Sequence, residues 1–391
     1  MLQSFRLLTV FAVAMLFASC AINAPVFPAG EACETPAFSV VDGFSGARRG
    51  TCTILSDNHV RLDILPESSG KINDSPWYAF KLSSDTPMTA KISLRYSGGH
   101  HRYWPKVSKD GQHWTRLDSQ RVVSSANGQN AEFEIDLSSD PVWVAGQELI
   151  TPVTYDIWNN RIAKAAHLPI MVLGSSTAGL PIHAFDSNAG SREVLFLVGR
   201  QHPPEISGAF AFFAFTETVL GDSDLAQQFR ARFRVIAIPL LNPDGVVGGN
   251  WRNNLGGVDL NRDWGPFTQP ETQLVAELLE DLDTSDSKIR MFIDFHSTKK
   301  NVFYALPDVT HPPGFIATWL EAARPRTSDY PFALTQGPAS SMAIGKNYIY
   351  ERYGIPAVTF EVGDETDRNI ARAAATVFAE ELMQLMLNQE Y

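Results

Sequence analysis

The sequence predicts an α/β fold built on a mixed sheet and preceded by a smaller antiparallel β-sandwich. Two observations lead there. Before residue 155, short segments at 59–65, 77–82 and 90–96 alternate apolar and polar side chains, and turn dipeptides such as Asp110-Gly111 and Asn127-Gly128 separate later ones. Alternation with period two buries one face of each strand, and closely spaced short strands of this kind make sandwiches or barrels. Beyond Pro152 the pattern changes: the runs 170–173, 194–198, 233–238 and 291–295 are apolar at nearly every position. Such runs suit strands covered on both faces. Helical stretches at 206–220 and 271–282, and a last one at 369–388, supply the covering layers. The expected organisation is an export signal over 1–20, a β-sandwich over 21–155 and an α/β catalytic domain over 156–391.

The chain has 391 residues, room for two ordinary domains, and 44% hydrophobic residues, enough for a full core. A formal net charge of −11 argues against a nucleic-acid backbone as partner. At the N-terminus, Arg6 precedes an apolar run over 7–17 that is short for a membrane span and ends in Phe17-Ala18-Ser19-Cys20. This reads as a secretory signal, with Cys20 placed for lipidation as in a bacterial lipoprotein; simple signal cleavage is the alternative. The expected location is the periplasm or cell envelope, lipid-anchored through Cys20. Cys33 and Cys52, the two remaining cysteines, read as one disulfide formed in an oxidising compartment, or else as two unpaired buried thiols.

The chemistry is concentrated in a few strand ends. His202-Pro203-Pro204-Glu205 follows the strand around 194–198, and His296 ends the strand around 291–295. In open α/β sheets, sites gather beyond the carboxyl ends of strands. Two imidazoles and one carboxylate make the ligand set that leaves a tetrahedral zinc with one open position. Each residue alone has a plainer reading, His202 as a helix-start histidine and His296 as a satisfied core histidine. Their companions form a dense block: Asn242-Pro243-Asp244-Gly245, Asn250-Trp251-Arg252-Asn253 and Asp259-Leu260-Asn261-Arg262-Asp263-Trp264. Arg252 and Arg262 are fixed cations able to grip a carboxylate through paired hydrogen bonds, or two surface arginines in a long loop. Glu361, at the end of the apolar strand Val358-Thr359-Phe360-Glu361, is a candidate proton acceptor and donor, or an exposed strand-end carboxylate.

Taken together and in this order, these motifs resemble the zinc carboxypeptidase (funnelin) family over about residues 150–385. They are most similar to its cytosolic carboxypeptidase subgroup, which also has a β domain ahead of the catalytic one. The resemblance implies a carboxypeptidase-like catalytic domain holding one zinc ion on His202, Glu205 and His296. It implies Glu361 as general base and then acid, and Arg252 as the group that polarises the scissile carbonyl. Asn261 and Arg262 would hold the substrate's terminal carboxylate. The implied partner is a peptide with a free C-terminal carboxylate, and no protein partner is predicted. Lys346, in Gly345-Lys346-Asn347-Tyr348, stands where the subgroup carries an arginine for acidic C-terminal residues; its plain reading is a solvated surface lysine. The mobile tyrosine of secretory family members has no clear counterpart: Ala339 stands near its place, with Tyr330 and Tyr348 as candidates. Two further readings are a murein-peptide amidase or related zinc deacylase, and a zinc-free binding protein.

Overall fold

The alternating segments form two sheets around a shared core in the computed structural model, which describes residues 32–68, 74–187, 190–307 and 312–390. The expected signal segment and Cys20 lie outside the described residues. One sheet has six strands, in the order Cys33–Glu34, Ser39–Val41, Ala79–Ser83, Val142–Ala145, Lys106–Ser108 and Thr115–Arg116, all antiparallel. The other has five: Thr51–Ser56, His59–Ile64, Met88–Tyr96, Asn130–Leu137 and Val122–Ser124. Period two does its work along His59–Ile64, where Val60, Leu62 and Ile64 are buried and the residues between them are half-exposed. One pair departs from the antiparallel expectation. His59–Ile64 runs parallel to Met88–Tyr96, with Val60 opposite Ile92. Between these two strands the chain lays Ala79–Ser83 into the other sheet, and a crossover returns it in the same direction. Cys33 and Cys52 are joined in a disulfide with Cα atoms 5.9 Å apart. It ties an edge strand of one sheet to an edge strand of the other.

The boundary expected at 155/156 falls inside a helix, Pro152–Ala166. Thr151 and Thr154 form a capping box at its start and Pro152 occupies the first turn, a signal carried by Thr-Pro-Val-Thr itself.

The second half carries an eight-stranded mixed sheet in the order Ile170–Ser175, Pro181–Asp186, Phe233–Ile238, Glu193–Gly199, Lys288–Thr298, Ala357–Gly363, Val302–Ala305 and Ala333–Gln336. Its central four strands are parallel. Along Glu193–Gly199, Leu195 and Leu197 enter one apolar core while Val194, Phe196 and Val198 enter another, so the strand is covered on both faces. Helices Ile206–Leu220 and Arg368–Leu387 pack on the first face, and Pro270–Thr284 and Gly345–Tyr353 on the second. Helix Ile206–Leu220 is buried almost all round, as its composition (ISGAFAFFAFTETVL) requires. Gly208 lets it approach the sheet, since a Cβ there would lie 2.4 Å from the carbonyl oxygen of His296. Among the described residues, no helix is long and apolar enough to cross a membrane.

Candidate metal centre

His202 and Glu205 lie in the turn that leaves strand Glu193–Gly199 and enters helix Ile206–Leu220. The turn is pinned at its start. Arg200 has a left-handed φ of 53°, unusual for a side-chain-bearing residue. Its guanidinium donates to the Pro203 carbonyl from Nε (3.0 Å) and Nη2 (2.7 Å) and to the Tyr155 hydroxyl from Nη1 (3.2 Å). Glu205 is the N-cap of the helix, where the backbone dipoles favour an anion. His296 stands on Lys288–Thr298, and Glu361 is its direct register partner on the adjacent parallel strand.

Three donor groups converge. His202 Nδ1 lies 2.9 Å from Glu205 Oε1, His296 Nδ1 lies 2.8 Å from Glu205 Oε2, and the two Nδ1 atoms are 3.1 Å apart. The outer nitrogens face carboxylates, His202 Nε2 at 2.9 Å from Asp259 Oδ1 and His296 Nε2 at 2.8 Å from Asp294 Oδ2. Each Nε2 has a carboxylate acceptor of its own, which leaves each Nδ1, on the Glu205 side, as the nitrogen a metal would take once its proton is displaced. Without a metal, protons on the imidazoles pair with the Glu205 carboxylate; a divalent cation would take their place among the same three donors. Tetrahedral zinc with bonds of about 2.0–2.2 Å spaces its ligands by roughly 3.3 Å, close to the separations found. Imidazole and carboxylate donors in this number fit zinc.

The surroundings are anionic. Burial alone would raise Glu205, but the charges of His202 and His296 hold it well below the usual carboxylate range. Burial disfavours charge on His296 as well, yet Asp294 and then Glu205 raise it well above the ordinary imidazole value. Asp259 is kept low against its burial by His202 and Arg252. Glu361 goes the other way: burial, then the Glu205 carboxylate, push it up to about 8. Its Oε2 is buried and has no hydrogen-bond partner among the described residues.

The remaining site residues line one cleft of about 390 Å³ with His202, Glu205 and Glu361. Arg252 is buried; its Nε donates to Asp259 Oδ2 at 2.6 Å, which leaves Nη1 3.9 Å from Glu205 Oε1. Asn261 accepts at Oδ1 from the Gly345 amide (2.9 Å), and its Nδ2 lies 3.2 Å from His296 Nε2. The Asn261 side chain thus stands between His296 and the cleft it lines. Arg262 is exposed at the cleft mouth and donates from Nη1 to the Asn261 carbonyl at 2.6 Å. Lys346 stands in the first turn of helix Gly345–Tyr353, half-buried, with Nζ 3.0 Å from Asn347 Oδ1; burial lowers its ammonium.

Neither tyrosine proposed as a cleft cap lines the cleft. Tyr330 is buried against Phe332 and Phe378, and Tyr348 packs on Trp264 and Phe267. Tyr304 does line it, two positions along its strand from Val302, the register partner of Glu361. Burial and the Glu361 charge raise its hydroxyl. Asp294, two residues before His296 and on the same face by period two, is its partner. Sequence reading passed over Gln201, which donates to Asp294 Oδ2 (2.7 Å) and accepts from Trp264 Nε1 (3.0 Å). Arg102 of the sandwich also reaches this cleft and grips Asp364 through Nε (2.8 Å) and Nη2 (3.2 Å). No local pattern marks a contact between residues so far apart in the chain.

A three-donor divalent-metal centre at the carboxyl ends of a mixed sheet defines a class of metallohydrolase-like proteins, and similarity narrows the class. The family model described as zinc carboxypeptidase matches residues 159–381, and the chain belongs to that family. Among curated proteins, it is 29% identical over 226 residues to cytosolic carboxypeptidase 6 of Caenorhabditis elegans, covering 51% of this chain and 48% of that one. It is 38% identical over 118 residues to cytosolic carboxypeptidase 1 of Danio rerio, covering 29% of this chain and 10% of that one. The chain thus matches about half the length of the first relative and a tenth of the second. Among solved structures, a metallo-carboxypeptidase from Burkholderia cenocepacia superposes with a TM-score of 0.75 at 18% identity, covering 89% of this chain and 99% of that one. One from Pseudomonas aeruginosa gives 0.73 at 19% identity, covering 89% and 98%. At such identities the likeness speaks to fold, and it extends over the sandwich as well as the eight-stranded sheet.

Proposed function

We propose that the chain is a zinc metallocarboxypeptidase that hydrolyses the C-terminal amide bond of peptides. The observation that carries this reading is the meeting of the His202, Glu205 and His296 donors opposite Glu361, with Arg252 Nη1 3.9 Å from Glu205. One zinc ion on those donors would supply Lewis acidity toward a peptide carbonyl and toward water. Glu361 takes a proton from the attacking water and returns it to the leaving amine, with no covalent intermediate. The Nη groups of Arg252, held through Nε by Asp259, donate to the oxygen that gains charge. The side-chain amide of Asn261 and the guanidinium of Arg262 receive the terminal carboxylate.

Lys346 gives this reading a side-chain preference. A partly desolvated ammonium in the cleft wall beside Met342 and Ile344 favours an acidic C-terminal residue. Lys346→Ala should lower the preference for Glu over Leu at that position by about tenfold or more; an unchanged preference returns Lys346 to a surface role. We further read the chain as exported and anchored through lipidated Cys20, on the strength of the apolar N-terminal run and the Cys33–Cys52 bond. Palmitate labelling abolished by Cys20→Ala supports this, and no labelling refutes it.

Matched peptides with free and amidated C-termini test the activity itself. The zinc-loaded protein should cleave the free form and spare the amide. Equal cleavage of both overturns the exopeptidase reading in favour of an amidase-type enzyme. Cleavage of neither leaves the zinc-free binding protein.

A further inference from the structure

The loop that carries Arg252 is held from the sandwich by one carboxylate. Glu67 Oε1 accepts from the amides of Arg252 (3.0 Å) and Asn253 (2.7 Å), and Oε2 accepts from the amide of Trp251 (2.8 Å). Three consecutive backbone N–H groups thus close on one anion, a nest arrangement. The neighbourhood reinforces it. Asn253 Nδ2 donates to Ser68 Oγ at 3.3 Å, and Arg48 donates to both the Leu65 carbonyl (3.1 Å) and the Gly248 carbonyl (3.5 Å). The Trp251 indole is fully buried and packs on Gly99 of the sandwich, where a Cβ would lie 2.9 Å from its ring. Trp251 therefore points into the sandwich while its neighbour Arg252 points into the cleft. The carboxylate sits on the short stretch of backbone that decides which way each one points.

We propose that Glu67 is a positioning residue for hydrolysis, setting the guanidinium of Arg252 at the metal centre through the amides of residues 251–253. The inference rests on the carboxypeptidase reading above. It gives the sandwich a specific task, since Arg252 reaches its place only when a side chain from the first half of the chain is seated beneath it. Asp259 fixes the Nε end of the guanidinium, and Glu67 fixes the backbone end. A side chain clamped at both ends keeps the same Nη direction without reorganising as charge develops on the substrate. Glu67 touches neither substrate nor metal donors, so its loss should act on turnover and leave the metal in place.

The test is a double-mutant cycle in the full-length, zinc-loaded chain with a C-terminally free peptide. Glu67→Ala alone should lower kcat by about 10- to 100-fold and change KM by less than about threefold, with zinc content unchanged. In an Arg252→Ala background the same substitution should change kcat by less than about twofold, because the group it orients is gone. Equal fold-losses in both backgrounds, or no loss in the first, overturn the inference. Glu67→Gln guards against a misfolded alanine variant: one of its two acceptor positions becomes a donor facing a backbone N–H, and an intermediate loss is expected. Hydrogen exchange gives a readout independent of turnover. The Trp251 amide, left facing the new amide nitrogen, should exchange at least tenfold faster in Glu67→Gln, and all three amides of 251–253 should do so in Glu67→Ala; unchanged protection in both overturns the inference even if the wild-type chain proves inactive on every peptide tried.

Discussion

Replacing Glu361 with glutamine keeps the side chain's volume and removes its charge, so it separates the proton from the packing. In the metal-free protein, burial and then the Glu205 carboxylate raise Glu361 from 4.5 to about 8. A carboxyl raised on folding contributes stability that is whole below its unfolded value and is lost as pH rises through its folded value. The wild-type chain should therefore lose stability across pH 4.5 to 8 at up to about 1.4 kcal/mol per unit, with a ceiling of about 5 kcal/mol. Glutamine does not titrate. The advantage of Glu361→Gln over wild type should grow from pH 4.5, level off above 8, and be read by urea unfolding in the presence of a chelator. Glu361 interacts with Glu205 and His296, so the difference reports removal of its carboxyl from that interacting set. A difference that stays flat across this range refutes the account of why Glu361 is raised. With zinc restored, the variant should retain metal and lose roughly 10²–10⁴ in kcat; undiminished turnover removes Glu361 from the chemistry.

Three further outcomes follow from the geometry. Asp294→Asn should weaken zinc binding by about 10- to 100-fold in a competition titration, because His296 loses the charged carboxylate acceptor that fixes its tautomer; equal affinity contradicts that role. Gly208→Ala drives a methyl to 2.4 Å from the His296 carbonyl and should cost on the order of 1–3 kcal/mol in chemical denaturation, with activity falling alongside. Paired Cys33→Ser and Cys52→Ser substitutions open a loop with a sequence separation of 19 and should cost about 3 kcal/mol, whereas an unchanged midpoint would mean the two sheets do not need the tie.

Much of this molecule was legible before any coordinates. Runs such as 194–198 announce a strand covered on both faces because every position meets an apolar core, and the two cores receive alternate residues of it. His202, Glu205, His296 and Glu361 were visible because each lies near the carboxyl end of a strand or just before a helix, and short-range order fixes where such segments point. The reading failed where position depends on partners distant in sequence. The parallel pairing of His59–Ile64 with Met88–Tyr96 comes from a crossover into the other sheet, which local alternation does not report. Glu67 and Arg102 look like ordinary charges in a β region, and their value lies in amides and carboxylates contributed by residues 251–253 and 364. Tyr304 was passed over for Tyr330 and Tyr348, because only the register of its strand against Ala357–Gly363 brings it beside Glu361.

The central claim is that His202, Glu205 and His296 hold one zinc ion. X-ray absorption at the zinc edge on the loaded protein tests it most directly, with metal stoichiometry measured on the same sample. The account predicts one zinc per chain in a nitrogen and oxygen shell at about 2.0–2.2 Å, with the outer scattering of two imidazoles, and loss of that spectrum in His296→Ala. Sulfur in the first shell, or an unaltered spectrum in His296→Ala, would contradict it.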